Sequence, residues 1–187
     1  MDYISARNPF GFSTNFTKNP KFKSQPNELN SPIKCYANKG IIGYIEENEI
    51  SKNIDWIQKY KVLTPYSNNI GTELNDDNLN TVIADKNSIC TETYLVIGAD
   101  LNLDRISAEN LSQYLKSKFV RYLHSLAKSS QHGTRITYRF VPLQNFTEES
   151  KINWELPINS IDQQLYAKYN LSDAEIEYIE GKIKEMK

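Results

Sequence analysis

"SAENLSQYLKSKFVRYLHSLAK", residues 107–128, runs directly into "SSQHGTRITYRFVPL", residues 129–143, and the reading of this junction decides the fold. In the first part Leu111, Leu115, Phe119, Tyr122 and Leu126 fall within about 80° of arc at helical spacing. Ser107 is a residue type that caps helices, because its hydroxyl accepts an otherwise orphaned backbone N–H. The pattern predicts one long amphipathic helix over 108–128, with Lys118, Arg121, Ser125 and Lys128 along one flank. In the second part Ile136, Tyr138 and Phe140 alternate with Thr137, Arg139 and Val141. That alternation predicts a strand over 135–142 whose Arg135, Thr137 and Arg139 share one face. Gly133 lets the intervening chain turn tightly.

Working outward, "IKCYANKGIIGYI" alternates around Asn38-Lys39-Gly40 and predicts a hairpin over 33–45. "KVLTPY" predicts a short strand over 61–65, stopped by Pro65. Ser51 is placed to cap a short helix through "KNIDWIQKY". "TETYLVIG" predicts a further strand over 91–98. The expected class is α+β: a small mixed or antiparallel sheet from 33–45, 61–65, 91–98 and 135–142, with the long helix packed on one face. Two short helices should follow as an appendage over 160–187, one opening near Ser160 and the other capped by Ser172 with Glu175 at the reciprocal position. Residues 1–159 then form the main body, a size that buries a core without disulfide or metal staples.

The net charge of −1 hides a partition. Six basic residues and no acid lie between Asn110 and Thr147: Lys116, Lys118, Arg121, Lys128, Arg135 and Arg139. Such segregation points toward a polyanionic partner, because a carboxylate at that surface would repel it. Lys118, Arg121 and Lys128 suit phosphates, and Ser129, Ser130 and Thr134 can add hydroxyl contacts to the backbone. Gln131 has the geometry for adenine, and Arg135 or Arg139 for guanine. His132, Asn68 and Asn69 complete the candidate set of donors. On this reading the partner is double-stranded DNA.

Several chemistries lack their residues. There is no phosphate-cradling G-x-x-x-x-G-K-[ST] or G-x-G-x-x-G, and no G-x-S-x-G. His124 and His132 have no neighbouring Cys, Asp or Glu in sequence, so no zinc is expected. The E-x-K pairs Glu149–Lys151 and Glu180–Lys182 lack the clustered acids a Mg-dependent nuclease needs. Asn8-Pro9-Phe10 lacks the second proline of the turn with which adenine methyltransferases grip their target amino group. Cys35 and Cys90 stand 55 positions apart and read as free thiols of a reducing, cytoplasmic compartment. No apolar run is long enough for a membrane span, and the N-terminus lacks a signal-peptide pattern.

Five segments in this order resemble one known module: "ARNPFGFSTNF" (6–16), "KYKVLTPY" (59–66), "ICTETYLVIGAD" (89–100), "YLKSKFVRYLHSLAKSSQHGTRITYRFVPLQNF" (114–146) and "LYAKYNLSDAEIEYIEGKIK" (165–184). They are similar to the C-terminal region of Eco57I-type restriction-modification methylases, which are adenine-specific DNA methyltransferases. The resemblance implies a target recognition domain. The parent protein's N-terminal methyltransferase domain would bind S-adenosylmethionine, and Mg if the parent also cuts DNA. This chain would then carry no catalytic residue. Two alternatives stand beside it: a module that docks the catalytic domain without touching DNA, and a divergent Mg-dependent nuclease using Glu149.

Overall fold

A computed structural model describes residues 1–70, 79–130 and 132–186. The chain is α+β. The described residues contain the short strands β1 (Pro32–Tyr36), β2 (Ile42–Glu46), β3 (Lys61–Pro65), β4 (Val82–Ala84), β5 (Ser88–Cys90) and β6 (Tyr94–Ile97). Among the described residues the α-helices α1 (Arg105–Lys116), α2 (Lys118–Leu126), α3 (Ile158–Lys168) and α4 (Asp173–Lys182) follow.

Instead of one sheet, the described strands form two three-stranded sheets, ordered β2-β1-β5 and β4-β3-β6. The β1–β2 hairpin pairs Pro32 with Glu46 through Tyr36 with Ile42, and its turn sets Lys39 and Gly40 at positive φ. β3 is the centre of the second sheet, antiparallel to both β4 and β6. Its two faces are both buried. Val62, Leu95 and Ile97 join a core with α1, α2 and α3, whereas Leu63, Tyr94 and Val96 join a second core with Ile33, Cys35, Ile89 and Cys90. The period-2 side-chain alternation of a strand makes one thin sheet the partition between these two cores.

The junction at residues 107–143 departs from its sequence pattern in two ways. The expected helix over 108–128 is broken at Ser117, whose backbone is extended (φ −59°, ψ 149°). Ser117 N–H closes α1 onto Tyr114 O, and its hydroxyl accepts Val120 N–H to open α2. Asp162 of α3 accepts Lys118 N–H at 3.0 Å and Phe119 N–H at 2.9 Å. Three orphan donors of a helix start are thereby satisfied, so the break costs little. The kink rotates the buried face. Val120, Arg121 and His124 point inward, while Leu126 of the expected apolar stripe is 54% exposed. Asp104, not Ser107, caps α1 by accepting Ser107 N–H at 2.7 Å.

The second difference is that the expected strand over 135–142 is absent. Arg135–Tyr138 is a 3-10 turn that runs on through Arg139. Thr137, Tyr138 and Val141 are buried, whereas Arg135, Ile136, Arg139 and Phe140 are exposed. The same letters fit period 2 and period 3.6, and the turn is the conformation that puts Tyr138 and Val141 into the core while its peptide groups bond locally. Thr134 N–H donates to Thr137 Oγ1, which in turn donates to Thr134 O. The short helix expected after Ser51 is also reduced, to a 3-10 turn at Ile54–Trp56 entered through Asn53 at positive φ.

At the C-terminus α4 carries the expected capping box between Ser172 and Glu175. α3 begins at Ile158, ahead of Ser160. Ile161, Leu165, Tyr166 and Ile179 share the helical core with α1 and α2. No helix among the described residues is long and apolar enough to cross a membrane.

Candidate nucleic-acid interface

The proposed donors divide into two groups, and burial draws the line between them. Lys118, Arg121 and Lys128 belong to the body of the protein. Lys118 Nζ lies 2.6 Å from Glu180 of α4, with its side chain 15% exposed. Arg121 is buried, donating from Nε to Lys116 O and from Nη1 to Lys184 O. It acts as a brace between the α1–α2 kink and the C-terminal segment. A flank of i, i+3 cations reads as a solvated or phosphate-facing edge in sequence. Here the carboxylate-bearing tail covers it, and that cover comes from residues about 60 positions away.

Lys128 turns toward the chain after β3. Its ammonium donates to Asn68 O at 2.6 Å, Asn68 Oδ1 at 2.7 Å and Ile70 O at 3.0 Å. Asn68 is itself buried, and Asn69 is half-buried, so neither is displayed as a base-reading side chain in this arrangement. Three charge-assisted bonds tie the end of α2 to the start of the 67–80 loop. Most of that loop, residues 71–78, and Gln131 lie outside the described residues.

The second group surrounds the 3-10 turn. Ser129 and Ser130 are exposed, and Ser130 Oγ accepts His132 N–H. His132 stacks on Tyr66 with ring centroids 4.7 Å apart and 15° between planes, and its Nδ1 lies 3.2 Å from Ser67 Oγ. Gly133 N–H donates to Tyr66 O at 2.6 Å. A Cβ at Gly133 would stand 3.3 Å from Asn68 Nδ2, a tight contact. Thr134 spends its backbone groups on the turn, as described above. Arg135 and Arg139 then project to solvent, the Arg139 guanidinium lying 4.5 Å from the Phe140 ring centroid. Neither arginine has a carboxylate at ion-pair distance among the described residues. Arg135 does border a cleft that Asp2 and Asp100 also line.

Two features of this surface lie outside the candidate donor set. Ile136 is 66% exposed and Phe140 47%, where a strand would have buried them. The repeated Arg-apolar pair at i and i+4, Arg135-Ile136 and Arg139-Phe140, is the signal that would have found them. Arg7 is the other: it pairs with Glu92 at 3.1 Å and lies 5.0 Å from the Tyr66 ring. Tyr66 thus carries contacts with both Arg7 and His132.

The turn has a firm underside. Tyr138 packs on His124 with centroids 4.2 Å apart, and the Met1 amino group donates to Tyr138 O and Val141 O. Burial pushes His124 down to about 3, so the ring is neutral at ordinary pH. His124 is packing, not a titrating base. Burial likewise pushes the Cys35 thiol up to about 12, so it is no ready nucleophile. No group of three His, Cys, Asp or Glu side chains among the described residues is arranged to hold a metal ion. Glu180 of the second E-x-K pair is occupied with Lys118 and the Tyr166 hydroxyl.

Comparison of the chain with family models, with curated proteins and with solved structures returns no match.

Proposed function

We propose that this chain is the double-stranded-DNA recognition domain of an adenine-specific restriction-modification methyltransferase. Catalysis, S-adenosylmethionine and any Mg belong to the parent's other domain, against which this one packs. The observation that carries the reading is the exposed face of Arg135, Ile136, Arg139 and Phe140, with Ser129 and Ser130 beside it, in a stretch without a single acid. Exposed guanidinium groups that have no carboxylate at ion-pair distance among the described residues suit phosphates and guanine edges, and the serine hydroxyls suit the sugar-phosphate backbone. His132, stacked on Tyr66 and beside Ser67 Oγ, anchors the chain that leads into that turn. Lys118, Arg121 and Lys128 act as its scaffold rather than as contacts.

The test is binding to a randomised duplex pool at two salt concentrations. If Arg135 and Arg139 are the main phosphate contacts, log affinity falls against log salt with a slope of about −2. A slope of about −5 would mean that the covered cations also reach DNA, and a flat response would sink the reading. One observation favours a second reading, docking of the catalytic domain alone: Ile136, Phe140 and Leu143 expose apolar area that a protein partner would bury. That reading requires tight association with the methyltransferase domain and none with duplex DNA.

A further inference from the structure

A cleft between α2 and α4 plays no part in the proposed contact with DNA, and its lining has a chemistry of its own. We propose that this cleft binds an organic cation, an ammonium head carried on an apolar body. Such a site goes beyond DNA recognition and stands or falls independently of it.

The site is made by two helices that tertiary structure brings together. Phe119, Tyr122 and Leu123 come from α2, and Leu171, Glu175 and Tyr178 come from α4 and the residue ahead of its cap. The cleft they line has a volume of about 480 Å³. Sites for small organic molecules span roughly 300–1,000 Å³, so the space suits a head and a body of several carbons rather than a bare ion. Phe119 is buried and stacks on Tyr169, with centroids 5.1 Å apart and 16° between planes, which fixes the ring in the wall of the cleft. Leu123 and Leu171 are half-buried and leave apolar area for the body of the occupant.

Two features select its charge. Tyr122 and Tyr178 meet almost at a right angle, with centroids 6.0 Å apart and 79° between planes. Perpendicular rings make a corner in which a cation lies against the electron-rich faces of both. The second feature is Glu175, the one charged side chain among the described residues that line the cleft. Its Oε2 accepts the Ser172 N–H at 2.8 Å and the Ser172 hydroxyl at 2.7 Å, while Oε1 has no hydrogen bond or ion pair among the described residues. Those two bonds hold the carboxyl below its usual range, so it is ionised at neutral pH. An anion would meet a carboxylate and two ring faces of its own sign. An uncharged chain would use only the leucines.

The whole chain is titrated with hexyltrimethylammonium and, separately, with hexanol, which has the same tail and no charge. The cation should bind at least about tenfold tighter than hexanol, and its N-methyl proton resonance should move upfield as it settles over the rings. Glu175→Gln removes the charge but keeps the reciprocal cap, because glutamine serves at that position of a capping box. Tyr178→Leu keeps apolar area and removes the ring. Each should weaken the cation about fivefold and leave hexanol unchanged. Both residues are exposed, so neither change threatens the fold. No saturation by about 10 mM, equal affinity for hexanol, or cation binding that survives both substitutions would overturn the proposal. A dimer of the unaltered chain that Tyr178→Leu disperses would give the cleft to a second copy and overturn it as well.

Discussion

Replacing Asp162 by alanine should release the kink on which the candidate interface depends. Asp162 is 1% exposed and accepts two backbone N–H groups at the start of α2, from Lys118 at 3.0 Å and Phe119 at 2.9 Å. Its loss leaves two donors at a helix N-terminus, one of them fully inside the core. Each unsatisfied buried donor costs about 1–3 kcal/mol, and water can reach only the Lys118 side. The expected loss is therefore about 3 kcal/mol, a large share of the roughly 5–15 kcal/mol available to a domain. Urea unfolding followed by far-ultraviolet circular dichroism measures it, as a shift in midpoint at constant m. Asp162→Asn keeps one acceptor oxygen and should lose about half as much at neutral pH. A loss below about 1 kcal/mol for the alanine variant would refute the claim that Asp162 holds the kink.

The same carboxyl makes a signed pH prediction. Burial raises Asp162 from 3.8 to about 6, so its protonated form is favoured by folding. Its contribution is fully present below pH 3.8 and is lost as pH rises through about 6. Relative to Asp162→Asn, the unaltered chain should gain stability as pH falls from 7 to 4, and a falling difference would refute this. His124 runs the other way: lowered from 6.5 to about 3 by burial, it contributes stability above pH 6.5 that is lost as pH falls toward 3. His124→Phe should flatten the acid limb of the stability curve, as read by urea midpoints between pH 7 and 4. Arg121→Met strands the carbonyls of Lys116 and Lys184 and should destabilise by about 1–3 kcal/mol, yet leave the salt slope of DNA binding untouched. Arg135→Ala with Arg139→Ala should do the opposite, changing stability by less than about 0.5 kcal/mol while reducing the salt slope by about 2.

The contrast between those two arginine variants shows how far the charge pattern alone could be followed. The acid-free run from Asn110 to Thr147 is real in sequence, but its cations do not share one surface. Lys118 meets Glu180, Arg121 meets the carbonyl of Lys184, and Lys128 meets Asn68 and Ile70. Every one of those partners is remote in the chain, so spacing within 118–128 carries no trace of them. Arg135 and Arg139 were placed on one exposed side by the strand reading and remain exposed on the turn, but for a different reason. Thr137, Tyr138 and Val141 take the core side of the turn, which leaves both arginines outside.

What local chemistry could decide, the amino-acid sequence decided. The β1–β2 hairpin follows from alternation around Asn38-Lys39-Gly40, and β3 ends where Pro65 withdraws its N–H. The α4 start follows from Ser172 and Glu175 bonding to each other's backbone within one turn. Tertiary structure alone decided the break at Ser117 and the conformation of 135–142. Lys118-to-Leu126 continues α1's spacing without a Gly or Pro, and only Asp162, delivered by α3, makes a new helix start there favourable. "RITYRFVP" suits two periodicities equally, and the ordering of its side chains was settled by which residues found a core to enter: Tyr138 beneath the turn against His124, and Val141 beside it. Propensity is a matter of tenths of a kilocalorie per residue, and burial of a large side chain about 1.5–3 kcal/mol, so where the two compete the core prevails.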